Sequence, residues 1–399
     1  MISKLSMSVL IVLALFVTVA EGTGAAPAEI ACDPAFVSRT DNVITVRPTG
    51  VDDTTNLQCA FDLAVASGPG MEVSLTEGTF YTSQIVINDF HGGFSGAGVE
   101  KTVVHNVQGM YVTPFDFYLA PPSPENPWPS LFSFFDGDYQ IHDLSMLIIG
   151  TPTTPWTIWG MQFHPSLMFG IGIFGHHADV VVRDFVMKGE VTTDNPDVQP
   201  WWANVMNGIY LWGMDGHSNP PISGSLLVER STFSDMAYGT PVANLVDMSV
   251  TISRNTFTDN WFAMDGYDME ESTLVFVQNK VLPRQTNPMP RYGVAFYNIA
   301  FPEITGSSFL FANNQFEGEI GIDFEPILGA GNDCLFLANN TLAVSDYPMF
   351  LGEGTHDCHV VGGSPKTRVL DLGTNNILTG VNNMGTDMGP VIHRLLGTK

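Results

Sequence analysis

Three carboxylates, Asp265, Asp323 and Glu325, recur in a repeated strand pattern and are well placed to do chemistry. The pattern occurs five times, at 208–213, 261–266, 293–298, 321–326 and 367–372. Apolar residues fill alternate positions of each segment, which is typical of a strand that buries one face. The other positions should face outward, and they carry the three carboxylates with Asp371, Tyr210, Trp212 and Tyr297.

A face that mixes carboxylates with aromatic rings suits carbohydrate chemistry, because carboxylates can serve as acid, base or nucleophile. On one strand, Asp323 and Glu325 should have Cα atoms about 6.5–7 Å apart, and Asp265 should lie about 9.5 Å from Asp323 across one intervening strand. Both spacings fit the roughly 6.5–9.5 Å between the carboxyl groups of inverting glycoside hydrolases. We predict these three as catalytic residues, with sugar platforms at Tyr210, Trp212 and Tyr297.

The same region allows other sites. Asp265, Asp268 and Glu270 could hold Ca²⁺, a hard ion that takes several oxygen ligands. A lyase would also need a base, and Arg291 lies on a predicted loop near this face. His217 is a candidate proton shuttle, and we expect both Arg291 and His217 to contact the substrate. The outer face of any soluble sheet also carries polar residues, so the pattern alone does not establish catalysis.

The elements that would position this face form a second repeat. One column of polar turn residues is spaced by 24, 24, 35, 26 and 24 residues: Ser231, Asn255, Asn279, Asn314, Asn340 and Ser364. Asparagine tolerates left-handed backbone and bonds its own main chain at turns. Strands that precede these turns alternate apolar residues, with no helix between them. Repeats of this length indicate stacked units, and the strand–turn–strand unit predicts a parallel β-helix.

The outward positions of this first strand set are mostly apolar: Leu227, Val275, Leu310, Phe336 and Val360. We expect an insertion, the C-terminal tail or a partner to cover them. Adjacent histidines, His176 and His177, should point opposite ways on a strand, so they do not predict a shared metal site.

Residues 52–87 and 93–104 resemble the N-terminal cap and first rungs of the pectin-lyase-like superfamily of right-handed β-helices. Asp52, Asp53 and Thr54 should cap a helix whose buried face includes Leu57 and Phe61. The resemblance covers 50–107 closely and 139–383 through the repeat. It implies an all-β fold with an N-terminal capping helix and leaves the activity open. The chain lacks the Asn-Thr-Asp, Gly-His-Gly and Arg-Ile-Lys motifs of polygalacturonase-like members and the Arg-x-Pro-x-x-Arg of pectate lyases.

Export is predicted from the first 24 residues, where Lys4 precedes an apolar run, as in a secretory signal peptide. Four cysteines fit an oxidising compartment. Cys334 and Cys358 each lie six residues before a turn residue, so adjacent rungs should bring them within disulfide range. We therefore predict Cys334–Cys358 and, by elimination, Cys32–Cys59.

A net charge of −26 in 399 residues disfavours nucleic acid and anionic membranes as partners. We predict one β-helix domain over 25–399, with inserted loops at about 109–138, 150–178 and 190–206, and no membrane span once the signal is removed. The leading hypothesis is a secreted polysaccharide lyase or glycoside hydrolase. The alternative is a non-catalytic extracellular protein that uses the β-helix for binding or support. The sequence leaves the oligomeric state open.

Overall fold

The computed structural model describes residues 30–107, 122–150, 156–158, 161–163, 168–191, 206–213, 221–260, 262–282, 292–297, 307–325, 333–337, 341–352, 355–362 and 368–383. The predicted signal segment, 1–24, lies outside these ranges. Among the helices formed by the described residues, none has the length and apolar character needed to cross a membrane.

The strands stack in parallel, rung upon rung. In chain order they are β1 (Val37–Thr40), β2 (Val43–Val46), β3 (Met71–Leu75), β4 (Gly78–Thr82), β5 (Ile85–Ser95), β6 (Thr102–Asn106), β7 (Ser130–His142), β8 (Ser145–Gly150), β9 (Trp156–Ile158), β10 (Met161–Phe163), β11 (Met168–Arg183), β12 (Val186–Val191), β13 (Met206–Gly213), β14 (Ile222–Glu229) and β15 (Thr232–Ser234). They continue as β16 (Val242–Ser253), β17 (Thr256–Thr258), β18 (Phe262–Glu270), β19 (Thr273–Val277), β20 (Lys280–Leu282), β21 (Tyr292–Tyr297), β22 (Ser308–Ala312), β23 (Gln315–Glu325), β24 (Asp333–Leu337), β25 (Thr341–Leu351), β26 (His359–Val361), β27 (Arg368–Asp371), β28 (Ile377–Thr379) and β29 (Asn382–Asn383).

Three parallel sheets wrap the interior, and one inward column marks each. The first sheet carries Val73, Phe94, Ile141, Val182, Val228, Ile252, Phe276 and Phe311 in register. The second carries Phe80, Val104, Met146, Met187, Phe233, Phe257, Val281 and Phe316. The third carries Ile87, Phe134, Ile173, Leu211, Val242 and Gly266, and its backbone register continues to positions 296 and 324. The predicted fold, a right-handed parallel β-helix, is confirmed; the two strand sets recognised in the sequence are the first and third sheets, and the second sheet was missed.

The one helix among the described residues, α1 (Thr54–Ser67), packs on the first rungs as predicted. Leu57 and Phe61 are fully buried, and the Phe61 ring meets Phe94 edge-on at 5.1 Å. Asp53 is the N-cap residue, but its carboxylate does not bond the helix. It accepts hydrogen bonds from the backbone N–H groups of Thr49 and Tyr81 instead, which ties the helix start to the sheet.

The predicted asparagine column is a buried hydrogen-bond ladder. The backbone N–H of Asn255 donates to Oδ1 of Asn279, and that of Asn279 donates to Oδ1 of Asn314, each at 2.9 Å. Nδ2 of Asn279 donates to the Ile252 carbonyl at 2.8 Å. The left-handed residue of each turn is the preceding one, as at Gln278 with φ 58°, so the asparagines satisfy buried backbone rather than supplying the turn conformation.

The sequence alignment was wrong by one residue at β24, and the predicted loop bounds also need correction. Phe309 pairs with Cys334, so Phe336 and Val360 occupy the inward phase rather than the outward one; Val360 is 1% exposed. The predicted loops were also too long, because β7 and β11 begin within 109–138 and 150–178. Leu227, Val275 and Leu310, which keep the outward phase, are half-buried.

The predicted Cys32–Cys59 disulfide is confirmed, with Cα atoms 5.7 Å apart. Cys358 is buried and disulfide-bonded. Leu335 pairs with His359, which sets the Cys334 backbone beside Cys358 on the adjacent rung. The Cys334 side chain lies outside the described part of the chain, so the Cys334–Cys358 bond stays a prediction.

Candidate functional site

The third sheet gathers the predicted catalytic positions into two neighbouring columns. Asp265 on β18 pairs with Ala295 on β21, which pairs with Asp323 on β23. Two residues further along these strands, the register runs from Trp212 through Ala243, Tyr267 and Tyr297 to Glu325. The sequence alignment set Asp265 level with Trp212 and Tyr297, whereas the register sets it level with Ala295, two residues earlier; the shift of two keeps the same face of the same sheet.

Asp265 faces away from the interior, because its neighbour Met264 is fully buried within the core cluster of the coil. Even so, Asp265 is only 2% exposed, so this outer face is covered at that rung. Burying a carboxylate costs free energy that a solvent-facing position would not require.

Tyr210 was expected to be an exposed sugar platform, and the structure corrects this. It is 6% exposed and belongs to a second apolar cluster, outside the coil, with Trp128, Phe135, Phe169 and Phe174. The Phe169 and Tyr210 rings stack at 4.4 Å, and Trp212 stacks on Tyr210 at 5.1 Å. These rings bury their apolar surface against one another, so the outer face of the early rungs carries a second, small hydrophobic core.

Trp128 covers this outer cluster, and sequence reasoning assigned it no role. Its ring lies 5.2 Å from Trp212 and 6.1 Å from Tyr210. Its carbonyl accepts hydrogen bonds from Nε2 of Gln84 at 2.5 Å and from Oγ of Ser130 at 3.1 Å. The only signal in the sequence was its place at the end of a Pro-rich insertion, next to a rung of the coil.

The predicted Ca²⁺ ligands Asp265, Asp268 and Glu270 belong to one strand, β18. On the adjacent strand, Asn244, which lies between the residues paired with Tyr267 and Met269, has a left-handed φ of 55°. Within the described residues, no group of three histidine, cysteine or acidic side chains is placed to hold a metal ion. The Asp268 side chain is outside that part of the chain, and the Ca²⁺ site stays a prediction.

Several other predicted residues lie beyond what the structure describes. His217 and Arg291 fall in undescribed segments, and for Tyr297, Asp323 and Glu325 only the backbone register is described. Their side-chain roles remain predictions.

No protein-family model matches this chain, and no curated protein matches it. Among solved structures, the A-module of a mannuronan C-5 epimerase from Azotobacter vinelandii is 13% identical, with a TM-score of 0.32, over 83% of this chain and 93% of that one. A surface adhesin of Streptococcus pneumoniae is 11% identical, with a TM-score of 0.39, over 82% and 79%. A family 28 exopolygalacturonase of Yersinia enterocolitica is 9% identical, with a TM-score of 0.35, over 87% and 78%. At these values the likeness says nothing about activity, and the fold assignment rests on the strand register of this chain.

Proposed function

We propose that this chain is an exported polysaccharide-active protein whose chemistry takes place on the outer face of the third sheet. The observation that supports this most is the register of Asp265, Ala295 and Asp323, which places two carboxylate positions two strands apart in one column. Their Cα atoms should be about 9.5 Å apart, and this separation suits two carboxyl groups that act on opposite sides of a glycosidic bond.

In this proposal Asp265 and Asp323 share the acid and base roles, and Glu325 lies beside Asp323 in the next column. Asp265 is 2% exposed, and a carboxylate shielded from water interacts more strongly with a reacting group than one in solvent. If the substrate carries uronates, a bridging cation would offset the repulsion from a chain of net charge −26.

The test is an assay of purified protein on neutral and uronate-containing polysaccharides, following new reducing ends and unsaturated uronate products, with and without a chelator. Asp265→Asn, Asp323→Asn and Glu325→Gln should each lower the rate about 100-fold or more. Asp138→Asn is the matched control, since Asp138 is an exposed carboxylate on the first sheet. Activity that survives all three changes contradicts the proposed site.

A non-catalytic binding or supporting role is the second candidate. It is favoured by the covered aromatic cluster, which removes Tyr210 from contact with a ligand. Glycan binding without any product across the panel would support it and would overturn the catalytic proposal.

A further inference from the structure

A second group of reactive side chains lies on the outer face of the first sheet, away from the carboxylate columns. His177 and Asp179 on β11 are in register with Ser223 and Ser225 on β14. Residues two apart on a strand share a face, so the four side chains form a patch two residues wide and two rungs deep.

Hydrogen bonds connect the four side chains in a row, from Ser223 through His177 and Asp179 to Ser225. Nε2 of His177 lies 3.2 Å from Oδ2 of Asp179, and Nδ1 lies 3.4 Å from Oγ of Ser223. Ser225 Oγ donates to the other oxygen of Asp179 at 2.7 Å. Ser223 Oγ also lies 3.2 Å from the His176 carbonyl oxygen, to which its hydroxyl donates. When that hydroxyl turns to Nδ1 instead, the imidazole has a carboxylate on one nitrogen and a serine hydroxyl on the other, which is the relation that activates a serine for attack.

This arrangement differs from the other histidine–aspartate pairs of the described chain. His91, His142 and His356 each pair with a neighbouring aspartate at 2.6–2.9 Å. In the described part of the chain, the hydroxyl contact on the second ring nitrogen is seen at His177 alone among these four. A surface ion pair therefore does not by itself account for the arrangement.

Backbone geometry makes room for the ring beside Ser223. Gly224 has φ +115°, and a Cβ there would lie 2.4 Å from the Ala178 carbonyl oxygen and 3.1 Å from Cε1 of His177. A larger residue would be strained and would displace the imidazole. The His177 side chain is 60% exposed, so a reacting group can approach from solvent.

We propose that Ser223 is a nucleophile activated by His177, and that it hydrolyses O-acyl esters that reach this exposed face from solvent. Oγ of Ser223 bonds to the ester carbonyl carbon as its proton passes to Nδ1 of His177. The alkoxy group then leaves with that proton. A water molecule attacks the acyl-serine, gives a proton back through His177, and releases the carboxylic acid and the free serine. Asp179, fixed by Ser225, holds the ring. The proposal is independent of the glycan hypothesis.

The test is labelling of the intact chain with a fluorophosphonate, located by peptide mass spectrometry, together with hydrolysis of 4-nitrophenyl acetate. Label should appear on Ser223. Ser223→Ala should abolish it, and His177→Ala should slow it about 100-fold or more. Added imidazole should partly restore labelling of the His177→Ala protein, an effect that a purely structural role for His177 would not produce.

His142→Ala is the matched control, because it removes an imidazole paired with Asp143 on the same sheet. It should leave the labelling of Ser223 unchanged. Circular dichroism of each variant separates loss of reactivity from loss of fold. Absence of label on Ser223 in the folded wild-type protein, or equal losses in His142→Ala and His177→Ala, would overturn the proposal.

Discussion

Different contacts stabilise two parts of the coil, the earlier rungs around β7–β13 and the later rungs around β14–β22. The later rungs return after 24 or 35 residues and hold their turns with the ladder of Asn255, Asn279 and Asn314. The earlier rungs carry the long insertions and add an aromatic cluster outside the coil, covered by Trp128. Buried amides satisfy the backbone along the later rungs, and apolar side chains pack on the outer face of the earlier rungs. Along the coil, the outer face of the third sheet therefore changes from packed aromatic rings on the earlier rungs to carboxylate positions on the later ones.

The largest test of this comparison is Trp128→Ala. It removes the ring that covers Tyr210 and Trp212 and leaves a cavity, so we expect the free energy of unfolding to fall by about 3–5 kcal/mol. Chemical denaturation measures it, with Val51→Ala as control, because Val51 is 78% exposed and should change stability by less than about 0.5 kcal/mol. A loss near that of the control would mean that the outer cluster is not a packed core.

Asn279→Ala tests the ladder. It removes the acceptor for the Asn255 N–H and the donor to the Ile252 carbonyl, both buried, so we expect a loss of about 2–3 kcal/mol. Asn42→Ala, at an exposed asparagine, is the control in the same denaturation experiment. Equal effects at the two positions would contradict a structural ladder.

Tyr139→Phe should act in the opposite direction. Tyr139 lies in the interior of the earlier rungs, stacked 4.4 Å from Phe134, and its hydroxyl meets no hydrogen-bond partner among the described residues. Burial raises its pKa well above the usual value, with a smaller contribution from Asp136. Removing a buried unpaired hydroxyl should raise stability by about 1 kcal/mol, seen as a higher denaturation midpoint. A lower midpoint would show that the hydroxyl is satisfied.

The smallest effect concerns Asp184 and Arg230, on the surface where the two regions meet. The Arg230 guanidinium donates to both oxygens of Asp184 and holds the pKa of that carboxyl below its usual value. A carboxyl whose pKa is depressed by folding stabilises the fold above its unfolded pKa and loses that contribution as pH falls through its folded pKa. NMR titration should show Asp184 ionising at a lower pH than in the Arg230→Gln variant. Identical titration of Asp184 in both proteins would show that Arg230 does not lower the pKa of this carboxyl.

Much of the coil was predictable because strand stacking repeats in the sequence. Alternating residues such as Val228, Ile252 and Phe276 must point inward on every rung, and the turn asparagines must keep their phase. The one-residue shift at Cys334 and Phe336 was missed, since both phases of that strand are apolar and periodicity alone cannot choose between them. The second sheet was missed because several of its strands, such as β15 and β17, are only three residues long.

For the candidate sites, too, the sequence predicted which face a side chain occupies but not which residues it contacts. Period-two alternation places Asp265, Asp323 and Glu325 on one sheet, because a side chain's face follows from its position along the strand. Alternation says nothing of what lies above that face, and Trp128 reaches Tyr210 from a segment 82 residues earlier. In the same way, His177 and Ser223 are 46 residues apart and meet only because their rungs are adjacent. Periodicity predicted the coil and most of its inward and outward positions. Which outward residues are covered, and which distant residues touch, depends on the three-dimensional arrangement, because those contacts come from insertions and neighbouring rungs that no local period encodes.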